Sequence, residues 1–418
     1  MKTIALLLSF VIPALAAETQ WPQFRGPNGD GHSDAKGLPE KFSDSERVKW
    51  KLPVQGKAWS SPVIWDSQVW LTNANEEGTD LGVICIDKES GKILHEKLIF
   101  KVAAPQFCHK FNSYASSSPV IEDGRLYAHF GSPGTACIDT KTAEVLWERR
   151  DFFCNHFRGA GSSPIIWRNL LILHFDGSDA QFVVALDKTT GKTVWQTNRS
   201  VDHQDLLPNG QIDSEGDFRK AFATPTVVEI DGSPVLFSSG AKAHYAYEPG
   251  TGKEIWRIEE RAQHSASTRP VVGDGVVYFQ TGFSKAQLFA VKLGGSGVLP
   301  LESILWSEKK NVGSKPSLIL DGGLLFGVDD IGIATCLDAK TGKAHWRERI
   351  GGDYSASPIL AEGRLYFLSE QGNVSVVRAG PTFELLHSTK FEDGFMASPA
   401  TSGNSLFVRS KTTLYRIE

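Results

Sequence analysis

Short β-rich runs separated by tight polar turns recur along the chain, and a small residue followed by proline marks the start of most units. The steps are Ser61-Pro62, Ser118-Pro119, Ser163-Pro164, Thr224-Pro225, Arg269-Pro270, Lys315-Pro316, Ser357-Pro358 and Ser398-Pro399. Spacings of 57, 45, 61, 45, 46, 42 and 41 residues bracket the ~40 to 45 residues of a four-stranded propeller blade. After each proline a run such as Val120-Ile121, a turn such as Asp123-Gly124 and a second run such as Arg125-Leu126-Tyr127 follow the grammar of a hairpin. Proline is tolerated as the first residue of a strand, so each step predicts the start of an innermost strand.

Two further strands per unit are predicted from Asp187-Lys188-Thr189-Thr190-Gly191-Lys192-Thr193-Val194-Trp195, a frame repeated around Asp139 to Trp147, Glu248 to Trp256 and Asp338 to Trp346. Glycine supplies the positive φ of the tight turn, and tryptophan offers a broad surface to bury against the next unit. His95 and His387 replace the tryptophan in the first and seventh units, and Gly294 to Gly297 rebuild the turn before Trp306 in the fifth. The last unit ends at Leu414-Tyr415-Arg416-Ile417 with no tryptophan strand, while Val48-Lys49-Trp50-Lys51-Leu52 carries that pattern before the first step. The expected fold is therefore all-β: an eight-bladed β-propeller of four-stranded antiparallel blades over residues 47–418, its ring closed by an N-terminal strand that completes the last blade.

The repeats over residues 48–418 resemble the PQQ-like (quinoprotein-like) repeat propellers, a superfamily that includes quinoprotein alcohol dehydrogenases and the propeller subunit of the outer-membrane assembly machinery. The opening Trp21-Pro22-Gln23-Phe24-Arg25-Gly26-Pro27-Asn28-Gly29-Asp30-Gly31 is similar to the start of a secreted group within it. That resemblance implies fold far more than function, since the scaffold carries enzymes and binding proteins alike. Its quinone-dependent dehydrogenases imply adjacent cysteines in a vicinal disulfide and a calcium site of acid and Asn ligands. No two cysteines are adjacent here, so no cofactor is expected and PQQ is disfavoured.

Met1-Lys2-Thr3, the apolar run Ile4 to Ala16 and the small residues before Glu18 predict a signal peptide over residues 1–17, followed by an extension over 18–46. The apolar run falls short of the ~18 to 20 residues that span a bilayer, so an exported protein, periplasmic or extracellular, is expected. No cysteine sits at the cleavage point, and no lipid anchor is expected. A formal net charge of −4 argues against non-specific nucleic-acid binding. Of five cysteines, Cys85, Cys137 and Cys336 share one repeat position and read as core, while Cys108 and Cys154 precede neighbouring anchors and are expected to pair as a disulfide.

Loops before the anchors and turns between the second and third strands emerge on one face, here the top, and both insertions (residues 96–115 and 199–221) enlarge it. Ligand-binding candidates there are His109, His156, Arg158, His174, Arg219, Lys220, Lys315, Asp329 and Asp353. Such a ring suits a polar or anionic small molecule, a glycan, or a protein partner. The competing structural reading is solvated loop charge and inter-blade ion pairs. Histidines gather in blades two and three, but no HxxxH or CxxC spacing supports a metal, and none is expected. No Gly-x-Ser-x-Gly elbow, P-loop or HExxH occurs, which removes common hydrolase and nucleotide-binding signals. A binding or scaffold module is thus favoured over a channel-mouth enzyme acting on carbohydrate or alcohol, PQQ-dependent dehydrogenase included.

Overall fold

In this computed structural model the described residues are 20–261, 263–283 and 285–418, so the expected signal peptide lies outside them. Eight antiparallel sheets of four strands form the ring, and two carry a short fifth strand added in parallel. Innermost strands such as Val63–Trp65, Val120–Glu122, Ile165–Trp167 and Ile359–Ala361 begin two residues after the first residue of each anchor. The sixth blade corrects the expected register. Its innermost strand is Ile319–Asp321, which makes Ser317-Leu318 the anchor and leaves Lys315-Pro316 in the loop above it.

The reason lies at the axis. The amide of Ser61 donates to Ser118 Oγ (2.8 Å), Ser118 to Ser163 Oγ (3.0 Å) and Ser163 to Thr224 Oγ1 (3.0 Å). Beyond the fifth blade Arg269 N donates to Ser317 Oγ, Ser317 to Ser357 Oγ, Ser357 to Ser398 Oγ and Ser398 back to Ser61 Oγ, all at 2.9–3.0 Å. At seven of the eight anchors the ring thus uses a hydroxyl, Arg269 of the fifth blade being the exception, and in the sixth blade that hydroxyl outweighs the proline. Each bond satisfies a buried N–H where no sheet ladder is available.

Blades adhere through the tryptophan motif. The indole N–H groups of Trp50, Trp147, Trp195, Trp306 and Trp346 donate to Lys88, Lys188, Pro249, Ala339 and Gly380 carbonyls of the following blade at 2.9–3.0 Å. The turn glycine of that next blade lies flat on the ring: a Cβ on Gly91, Gly191, Gly252 or Gly342 would meet Trp50, Trp147, Trp195 or Trp306 at 2.3–2.8 Å. These glycines, with φ of 70–72°, are thus required for conformation and for contact. Val48–Pro53 pairs antiparallel with Thr413–Ile417, setting Trp50 opposite Arg416, as the missing strand required.

The extension ahead of that strand is an arm across the hairpin-turn end of the channel. Trp21 exchanges backbone hydrogen bonds with Ile64 (2.8 and 2.9 Å), Ile121 N donates to Pro22 O, and Leu360 N donates to Gly31 O. Arg25, buried, donates to Ser317 O and to Leu318 O (2.6 Å), while Arg269 reaches Phe24 O (2.8 Å) and Gln23 Oε1. His32–Ser33 then runs parallel to Leu360 and Ala361, and Phe42 packs on Tyr366 and Phe391. Asp30 caps its own turn by accepting from His32 N (3.0 Å).

A blind cavity at the channel mouth

A cavity of about 550 Å³ occupies the channel, within the range of small-ligand sites. Its inner end is lined by Phe24 from the arm and by the anchor hydroxyls of Ser61, Ser118, Ser163, Thr224, Ser357 and Ser398. Toward the top face its walls are Trp59, Phe111, Phe222 and Phe283, with Arg158, Lys220, Lys315, His109, His264, Asp217 and Asp330 among them. The arm seals the other end, so the channel is a pocket and not a pore.

Two loops position the charged groups. His109 N and Asn112 Nδ2 both donate to Arg158 O (3.2 and 3.0 Å), and Gln106 bonds to Cys154 O and His156 N, which laces the blade 1–2 loop to the blade 2–3 loop. Among the described residues the Arg158 guanidinium donates no hydrogen bond; it has only Asp217 at 4.0 Å and the Phe157 ring at 5.4 Å. By contrast, Lys220 is buried, donates to Asp217 O (2.7 Å) and pairs with the Asp217 carboxylate. Burial, aided by Arg158, pushes Lys220 down to about 7. Lys315 is held by Glu370 (2.8 Å), and Asp330 accepts from Ser314 Oγ (2.6 Å), its carboxyl raised chiefly by burial. His264 bonds Ser265 through Nδ1 and is pushed down to about 4 by burial and the neighbouring cations. His109 packs against Phe111 in a tilted contact with ring centroids 4.3 Å apart and is lowered too, first by desolvation and then by Arg158.

The other expected ligand residues stand elsewhere. His156 is buried and accepts from Ser132 N (3.0 Å), and His174 spans blades through Ala223 O (2.9 Å) and Ser238 Oγ (3.1 Å). Arg219 forms a two-point pair with Asp205 (2.8 and 2.6 Å) inside the second insertion. Asp329 caps a turn by accepting from Ile331 N and Ile333 N, and Asp353 is taken up by Gln371. In each case local hydrogen bonding consumes the group that sequence offered to a ligand. The expected Cys108–Cys154 disulfide is not formed, and all five cysteines are free. Cys154 Sγ turns inward to His156 Nδ1 at 3.6 Å, and Cys108 Sγ lies beside the His109 carbonyl. The aromatic walls, Asp217 and the arm's Phe24 were missed, since nothing in the repeat pattern marks them.

Two overlapping stretches, residues 109–348 and 179–418, match the PQQ_2 family model, described as outer membrane protein assembly factor BamB. Curated relatives of that description occur in Yersinia pestis (26% identical over 209 residues, 47% of this chain) and in Moranella endobia (26% over 208 residues, 47%). The match spans about half, 49%, of each of those relatives' length. Among solved structures, quinohemoprotein alcohol dehydrogenase from Comamonas testosteroni aligns with a TM-score of 0.68 and 12% identity, over 95% of this chain and 80% of its own. BamB from Moraxella catarrhalis aligns with a TM-score of 0.59 and 13% identity, over 88% and 99%. At such identities these structures speak to the fold alone.

Proposed function

This chain belongs to the PQQ_2 family, described as outer membrane protein assembly factor BamB, and on that premise we propose that it is an exported, non-catalytic binding propeller, working in the periplasm or outside the cell. Its top-face cavity takes the anionic group of a ligand or partner. The observation that carries this reading is Arg158, a guanidinium at the wall of the cavity that donates no hydrogen bond among the described residues and has the Asp217 carboxylate only at 4.0 Å. Arginine's planar fork suits a carboxylate held at fixed orientation. Lys220, Lys315 and Arg219 meet their carboxylates at hydrogen-bond distance, whereas Arg158 has Asp217 only at 4.0 Å and so keeps donors to offer.

The cavity does not match the donor set of quinone-dependent relatives. No cysteine has an adjacent partner, Asp217 is bound to Lys220, and Asn112 spends its amide on Arg158 O and Ala160 O. No redox step is therefore routed through this site. The test is calorimetry with acetate, benzoate and D-glucuronate on the native protein and on Arg158→Ala. Loss of one charge-assisted hydrogen bond, about 1.5–3 kcal/mol, corresponds to roughly 10- to 150-fold weaker binding. Absence of heat with every carboxylate, or equal affinity in the variant, refutes the reading.

A further inference from the structure

The seven anchor hydroxyls of the axial ring each accept one backbone N–H. A serine or threonine hydroxyl also has an O–H to donate and a second lone pair. Among the described residues none of these seven O–H groups donates to a protein acceptor, and six of the seven line the inner end of the cavity. They form a polar belt in the same cavity as the aromatic side chain of Phe24, which the arm delivers.

We infer that the cavity is built for the terminal residue of an acidic sugar chain: a hexuronate whose carboxylate meets Arg158, whose ring oxygens and hydroxyls meet the hydroxyl belt, and whose C–H face lies on Phe24. This rests on the anion-binding reading above and narrows it. A sugar acid has what the two ends of the site ask for, whereas a fatty or aromatic acid would desolvate the belt without offering it acceptors. The aromatic walls Trp59 and Phe222 give flat apolar surface to a pyranose ring. Terminal binding follows from the arm, because a chain that enters the mouth has no exit past Phe24, Arg25 and Arg269.

The test measures binding to the intact protein by calorimetry. The probes are D-glucuronate, its methyl ester, its 2-deoxy analogue, hexanoate, a neutral-sugar tetrasaccharide ending in glucuronate, and the same tetrasaccharide with glucuronate internal. The expected result is that glucuronate and the terminally acidic tetrasaccharide bind, with the ester, the deoxy analogue, hexanoate and the internal isomer each at least tenfold weaker. Hexanoate binding as tightly as glucuronate, with Arg158→Ala weakening both, overturns the sugar assignment and leaves the anion reading standing. Equal binding of the two tetrasaccharides overturns the chain-end assignment. No binding of any carboxylate overturns both readings.

Discussion

Replacing Gly29 with alanine should unseat the arm and open the sealed end of the channel. Gly29 has φ +70°, and a Cβ there would lie 2.0 Å from the guanidinium carbon of Arg269. The left-handed backbone alone costs an alanine about 1–2 kcal/mol. The larger effect is displacement of Arg269, which now donates to Phe24 O (2.8 Å), Gln23 Oε1 and Thr226 Oγ1 (3.0 Å). Hydrogen bonds from a charged donor contribute about 1.5–3 kcal/mol each, and water entering the opened end recovers part of that, so the net loss is on the order of 4 kcal/mol. With roughly 2.1 cal/mol/K of unfolding entropy per residue over about 400 residues, 4 kcal/mol lowers Tm by about 5 °C. Gly124→Ala is the control: its φ is +74° and nothing lies within 4 Å of the added Cβ, so it should lower Tm by only about 1–2 °C. Hydrogen exchange supplies the second readout, since the amides of Ile64, Ile121 and Leu360 donate to arm carbonyls and should lose protection in Gly29→Ala only. If both variants melt alike and those three amides stay protected, the arm does not hold the channel closed in the way argued.

Acid should destabilise the fold below about pH 6.5. Burial pushes His129, His174 and His244 down to about 3 and His156 to about 4, so the unfolded chain takes up protons that the native state refuses. Each of these histidines then removes about 1.4 kcal/mol per pH unit between roughly pH 6 and 4; denaturant melts with a midpoint independent of pH in that window would contradict the assignment. Asp176→Asn should cost about 3–5 kcal/mol by stranding Arg199, whose two donors meet Asp176 at 2.9 and 2.7 Å with both side chains 2% exposed; a Tm within 1 °C of the native value would refute this. Thiol titration of the unfolded, unreduced protein should count five free cysteines, and a count of three would restore a bridge.

The fold was legible because propeller sequence is periodic: most blades repeat the same local demands, a hydroxyl anchor, a hairpin turn, a glycine with positive φ and a tryptophan to cover the next glycine, with Arg269, His95 and His387 as the exceptions. Even the ring closure could be read, from the absence of an outer strand after Tyr415 and its presence at Trp50. The one misplaced anchor shows the limit, for Lys315-Pro316 satisfied the pattern while Ser317 satisfied the axial hydrogen bond. The site was only partly legible. Arg158, Lys220, Lys315 and His109 do face the cavity, yet sequence could not tell an engaged cation from a free one, because Asp217, Glu370 and Asp205 reach their partners through loop geometry. Nor could it show that residues 21–31 cross the channel, where Arg25 meets carbonyls nearly 300 positions away. Local conformational preference and repeat spacing determine the blades; which polar groups remain unspent is decided by contacts between blades, and those exist only once the ring has closed.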